Sequence, residues 1–205
     1  LQSIGWRGIR QRKLHVEELL RLAMERLAEQ HRPVRLMDIA AGHGRYVLDA
    51  VLSSPVKPAS ILLRDYSDIN VRNGRALIAT KGLKDVTSFV QADAFNRTSL
   101  ARVKPRPTLA VVSGLYELFP DNALVSRSLH GVGDAVEDGG YLVYTGQPWH
   151  PQLERVARTL TSHRQGEAWV MRRRTQAELD QLVEDAGFRK IAQRIDEWGI
   201  FTVSL

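Results

Sequence analysis

The chain has 205 residues, no cysteine and a formal net charge of +6. That length suits a single α/β domain, and the missing cysteine excludes disulfides, thiolate metal sites and a cysteine nucleophile. Hydrophobic residues at 43% beside charged residues at 25% are the balance of a chain that buries a core, while its longest apolar runs, such as residues 109–112, are far too short to cross a bilayer.

From Val16, apolar residues Leu19, Leu20, Ala23 and Leu27 recur at three- and four-residue steps, which predicts an amphipathic helix ending before Pro33. Residues 35–39 form a short apolar run that enters a small-residue turn, and 45–52 read as helix again, stopped by Ser53-Ser54-Pro55. The pattern repeats with a strand at 60–64, a helix capped by Ser67 or Asp68, and Gly82 at its end. Strands are expected at 86–91 and 108–112, then a helix capped by Asp121 that carries Leu124, Val125, Leu129 and Val132. Asp138-Gly139-Gly140 turns the chain into a fifth strand, 141–144. After Pro151 a helix is expected to about Ser162, and Thr175 with Glu178 forms a capping box for a helix closed by Gly187. Two last strands fall at 188–194 and 200–204. Strands alternating with helices imply an α/β fold with a mostly parallel sheet covered on both faces, because parallel neighbours need long crossovers. Ligands of such sheets bind at the carboxyl ends of the strands.

The segment Asp38-Ile39-Ala40-Ala41-Gly42-His43-Gly44-Arg45 lies at such an end, where residues without side chains let a ligand approach the backbone. A dinucleotide fingerprint would need a third glycine where Val47 stands. Asp38 precedes the glycines, where a carboxylate repels a pyrophosphate but attracts an ammonium. This favours S-adenosylmethionine (SAM) as cofactor, since its methionine end carries an ammonium and it has no phosphate. About 20 residues on, Asp65 closes the second strand in the place of a ribose-binding carboxylate. Tyr66 beside it is counted in the cofactor site. At the end of the third strand, Asp93 can accept from a purine amino group while Ala94 or Phe95 contacts the ring. Ser113 ends the fourth strand, Gly114 and Leu115 are placed along the adenosine, and Ser113 and Gly114 are counted in the cofactor site.

On these residues the chain resembles the class I SAM-dependent methyltransferases, whose first motif D-x-G-x-G-x-G is read here as Asp38, Ala40, Gly42 and Gly44, with alanine at the first glycine. The runs 113–121 (SGLYELFPD) and 144–151 (YTGQPWHP) look closer still to a bacterial family of methyltransferases found joined to α/β-hydrolase-like or lipid-headgroup-transferase-like domains. The resemblance implies a Rossmann-like three-layer sandwich with seven strands, the last antiparallel and inserted beside the fifth. It also implies methyl transfer to a small-molecule or lipid-related acceptor, and a fused partner domain. A first residue other than methionine suggests a piece of a longer protein.

Methyl transfer from a sulfonium needs alignment and exclusion of water, and no metal. A hydroxyl or amine acceptor also needs a base, for which His150, Glu117 and Tyr116 are the candidates, although His150 can equally cap the helix that follows it. Trp6, Arg12 and Tyr46 are placed in a lid formed by residues 1–32 or at the methionine carboxylate. The absence of cysteine and of an N-P-P-Y run argues against DNA base methylation. The basic patches Arg7-Arg10-Arg12-Lys13 and Arg172-Arg173-Arg174 lack interleaved aromatics, so no nucleic-acid partner is expected. With no signal-like or spanning segment, the cytoplasm is the default location. A nicotinamide-dependent oxidoreductase and a catalytically silent SAM-binding module stand as the alternatives.

Overall fold

A computed structural model describes residues 2–162, 166 and 168–205. The elements in order are α1 (Ile4–Glu29), β1 (Arg35–Asp38), α2 (Arg45–Ser53), β2 (Ser60–Asp65), α3 (Asp68–Thr80), β3 (Thr87–Gln91), α4 (Arg97–Ala101), β4 (Leu109–Val112), a 3-10 turn (Tyr116–Leu118), α5 (Asn122–Ala135), β5 (Tyr141–Gly146), α6 (Leu153–Thr159), α7 (Gln176–Asp185), β6 (Gln193–Ile195) and β7 (Thr202–Ser204). The strands form one seven-stranded sheet in the order β3-β2-β1-β4-β5-β7-β6. β1 to β5 are parallel; β7 runs antiparallel between β5 and β6. This is the Rossmann-like arrangement the sequence implied, with the last strand inserted beside the fifth.

Adjacent strand residues feed opposite cores because a strand turns successive side chains to opposite faces. Leu36, Leu109 and Val143 pack with Leu19, Leu20, Leu48 and Val71 of α1, α2 and α3. Their neighbours Met37, Ala110 and Leu142 pack with Leu100, Val125, Leu129 and Leu179 of α4, α5 and α7. Both layers are sealed, and the crossovers between parallel strands leave the loops that follow β1, β2, β3, β4 and β5 gathered along one rim of the sheet.

Three boundaries differ most from the sequence reading, and one short helix was not expected. α1 begins at Ile4, not near Val16, because Gly5 packs against His150 and Gly8 against Phe201, so tertiary contact overrides two poor helix formers. β6 begins at Gln193, not 188: Gly187 and Phe188 still donate to Glu184 and Val183, closing α7, and Phe188 belongs to that cap. The helix after Pro151 ends at Thr159, short of Ser162. The short helix α4, capped by the Asn96 side chain, was not expected because its five residues carry no apolar period.

Candidate functional site

The rim at the carboxyl ends is built around the turn after β1. Gly42 and Gly44 both adopt left-handed backbone, at φ 57° and 74°, a region open to glycine at no steric cost. A side chain at Gly44 would run into Leu63, whereas the space beside Gly42 is open, with nothing among the described residues within 4 Å of where a Cβ would stand. Asp65, from the neighbouring strand, holds this turn: its Oδ2 accepts from the Gly42 amide at 2.8 Å, and its Oδ1 accepts from the Ser67 amide and Asn70 Nδ2 at 2.9 and 3.0 Å. Asp65 therefore braces the glycine turn, and of its four acceptor sites one, on Oδ2, is left.

Asp38 is fully buried. Its Oδ1 accepts from the Ala40 amide at 3.1 Å and its Oδ2 from the Tyr46 hydroxyl at 2.5 Å. Burial pushes its pKa up to about 7, against the pull of those two hydrogen bonds, and Asp65 nearby raises it further. Burial and the same Asp38 charge hold the Tyr46 phenol well above its ordinary value. Tyr46 thus stands over the carboxylate that was expected to meet an ammonium directly. Asp93, at the end of β3, is exposed and accepts from the Phe95 amide at 2.9 Å, next to the buried Ala94. Its charge also acts on the buried Arg64. Tyr66 is largely exposed, and His43 lies at the surface.

After β4, the Gly114 amide donates to Thr145 Oγ1 of β5 at 2.9 Å, and Ser113 is half-buried beside it. Arg12 of α1 reaches across to this point. Its Nη1 pairs with Glu117 Oε1 at 3.1 Å, its guanidinium rests 4.7 Å from the Phe201 ring centroid, and its Nη2 lies 3.2 Å from where a Gly114 Cβ would be. Through Arg12, the amino-terminal helix meets the loop after β4.

The other two acceptor-side candidates sit differently. Tyr116 is buried, and its hydroxyl meets Ser128 Oγ at 3.0 Å. Because the single Ser128 proton goes to the Ala94 carbonyl at 2.7 Å, Tyr116 is the donor. This relay ties the loop after β4 to the loop after β3. His150 is 7% exposed, with Phe201 edge-on at 6.2 Å and Gly5 against Nε2. Its Nδ1 accepts from the Gln152 amide at 3.1 Å, at the start of α6, and burial depresses its pKa despite the nearby Asp196. The basic run at 172–174 is absorbed into structure. Arg174 donates to the Tyr116 and Phe119 carbonyls, both at 2.6 Å, and to Asn122 Oδ1, while Arg172 joins the Pro120 carbonyl to Glu178. Sequence reasoning missed Thr145, Ser128 and Arg174 as parts of the site, and no local signal marks them. A cavity of about 300 Å³ lies at the opposite, amino ends of the strands, lined by Arg35, Ser60, Lys84, Thr87 and Lys104, away from the end at which parallel sheets bind ligands.

A parallel sheet with an antiparallel β7, a glycine turn after β1 and acidic residues closing successive strands define a domain of the Rossmann-like methyltransferase class. Solved structures share the fold. A "possible exported protein" from Bordetella parapertussis aligns with a TM-score of 0.76 at 21% identity, over 96% of this chain and 67% of that one. A SAM-dependent methyltransferase from Methanosarcina mazei aligns with 0.62 at 19% identity, over 84% and 91%. The chain belongs to the family described as "Putative methyltransferase", whose model matches residues 1–205. It is 58% identical over its whole length to the uncharacterized protein YnbC of Escherichia coli (strain K12), of which it spans 35%. Among the described residues no helix is long and apolar enough to cross a membrane, and no group of His, Asp or Glu is placed to hold a metal ion.

Proposed function

We propose that this domain transfers a methyl group from SAM to a small-molecule acceptor, with the cofactor lying along the carboxyl ends of β1, β2, β3 and β4. The observation that carries the reading is the brace from Asp65 to the Gly42 amide beside an open face at Gly42. A turn that only reverses the chain needs no carboxylate from the next strand to hold it, whereas a turn that must receive a ligand does.

The residues fit the cofactor. Gly42 leaves room for the methionine backbone, with the Asp38–Tyr46 pair next to it as the partner for an ammonium. Arg12 offers the remaining donors of its planar fork to the carboxylate. Asp65 has one lone pair left on Oδ2 for a ribose hydroxyl, and the exposed Asp93 beside Ala94 suits a purine edge and face. Ser113 and Gly114 lie between these groups and Glu117. SAM, when bound, supplies a methyl carbon made electrophilic by a cationic sulfur. The protein aligns the acceptor with that carbon and excludes water, which α1 does by lying across the rim. Tyr116 and His150 serve this by position: Tyr116 joins the loops after β3 and β4, and His150 seats the first turn of α1. A lipid-related acceptor and a fused neighbouring domain belong to the same proposal, and the reach of the relative beyond this domain is consistent with the latter.

Titration calorimetry tests the reading. SAM and its demethylated product S-adenosylhomocysteine should bind, NAD should not, and Gly42→Asp should abolish binding by putting a charged side chain at a φ of 57° beside Asp65. Binding of NAD without binding of SAM overturns it.

A further inference from the structure

We infer that Glu117 selects and deprotonates the acceptor, which makes the acceptor class a hydroxyl or an amine bearing hydrogen on the nucleophilic atom. The inference rests on the cofactor placement above and specifies what lies on its other side.

Glu117 is 8% exposed, and its two oxygens are unequal. Oε1 is paired with Arg12, whereas Oε2 is buried with no hydrogen-bond partner among the described residues. Buried polar atoms are nearly always paired, and one left open in a native site calls for a reason. The rest of the residue is held firmly. Its carbonyl accepts from the Arg172 amide at 2.8 Å, and the preceding carbonyl, of Tyr116, accepts from Arg174. Arg12 is itself steadied against Phe201. The carboxylate is therefore a preset acceptor with one oxygen neutralised and the other open, three residues beyond Gly114 at the end of β4. An O–H or N–H on the incoming nucleophile completes it. Thioether and tertiary-amine acceptors bring no such hydrogen and leave the oxygen unpaired, a penalty that discriminates against them.

In the transfer, Glu117 Oε2 takes the proton from the acceptor while the acceptor's lone pair bonds to the methyl carbon and the carbon–sulfur pair stays with sulfur. One carboxylate charge and one sulfonium charge are neutralised together, and no further reactant is needed. Arg12 is a positioning residue in this scheme: it holds Oε1 and so fixes the orientation of the carboxylate.

Sinefungin, the SAM analogue with an amine-bearing carbon in place of the methyl-sulfonium, puts N–H donors at the transfer position and so probes Oε2 without a known acceptor. By calorimetry the wild-type protein should bind it at least about tenfold more tightly than S-adenosylhomocysteine, the worth of one charge-assisted hydrogen bond. Glu117→Gln, which keeps the shape, should bring the two ligands within about twofold of each other while leaving S-adenosylhomocysteine affinity within about twofold of wild type. Glu117→Asp, which retracts the carboxylate by one carbon, should fall between. A wild-type protein without the preference, or a Glu117→Gln protein that keeps it, overturns the inference alone. Failure of S-adenosylhomocysteine to bind the wild type removes the cofactor reading and this one with it.

Discussion

Replacing Asp38 by asparagine tests the electrostatics at the base of the site. The asparagine amide can serve both present partners, its Oδ1 accepting from the Ala40 amide and its Nδ2 donating to the Tyr46 hydroxyl. What changes is titration. Burial raises the Asp38 pKa from 3.8 to about 7, so between those values the folded protein holds a proton that the unfolded chain has released. Stability from this group is therefore full below about pH 3.8 and is lost as pH rises through about 7. At 1.36 kcal/mol per pH unit, the span amounts to on the order of 4 kcal/mol. Asp38→Asn has no such dependence. In urea unfolding, its stability relative to wild type should grow by about 1.4 kcal/mol per pH unit from about pH 5 to 7 and then level off. The other titrating groups are common to both proteins and cancel in the difference. A difference that stays flat across this range, or shrinks as pH rises, refutes the picture of a carboxyl group whose charge is suppressed by burial.

Two more outcomes follow from the groups around the rim. The depressed pKa of His150 means that the unfolded chain binds the proton more readily, so stability from this group is lost as pH falls below about 6.5. His150→Asn, whose side-chain oxygen can still accept from the Gln152 amide, should lose less stability than wild type on acidification from about pH 7 to 5. Equal losses in thermal melts at each pH would remove the claim that the ring is buried neutral. Arg174→Ala strips donors from the carbonyls of Tyr116 and Phe119 and from Asn122. Asn122 Oδ1 keeps Arg172 and the Tyr116 carbonyl keeps the Phe119 amide, so the cost is that of the lost charge-assisted hydrogen bonds. At about 1.5–3 kcal/mol for a hydrogen bond to a charged group, a loss of about 3 kcal/mol is expected as a lower urea midpoint with an unchanged slope. A loss under about 0.5 kcal/mol would mean that the segment before α7 does not clamp the loop after β4.

The parallel sheet was readable because its evidence is local. Apolar runs at 35–39, 60–64 and 108–112 bounded by helices of 3.6-residue period leave few architectures; β1 and β4 fall within them and β2 extends one residue further, to Asp65. The glycine turn was equally plain, since only glycine adopts φ 57° and 74° freely, and both positions lie between a strand and a helix. The ends of α1 and β6 were not readable. Gly5 and Gly8 are poor helix formers, and they join α1 because His150 and Phe201, far away in sequence, leave room there for nothing larger. Phe188 is apolar enough for a strand, yet the cap after Gly187 claims it.

The site divides along the same line. Residue types and their places at strand ends established that Asp38, Asp65 and Asp93 gather on one rim, because chain order and parallel topology put them there. Which partner each side chain takes was decided only by the folded structure. Asp65 braces Gly42 across 23 residues, Arg12 meets Glu117 across 105, and Tyr46 covers the carboxylate that local reading left open. Periodicity and turn chemistry act over a few residues and are written in the order of the chain. Pairing between buried polar groups depends on which crossovers bring them together and on what water is excluded, and neither exists until the layers have packed.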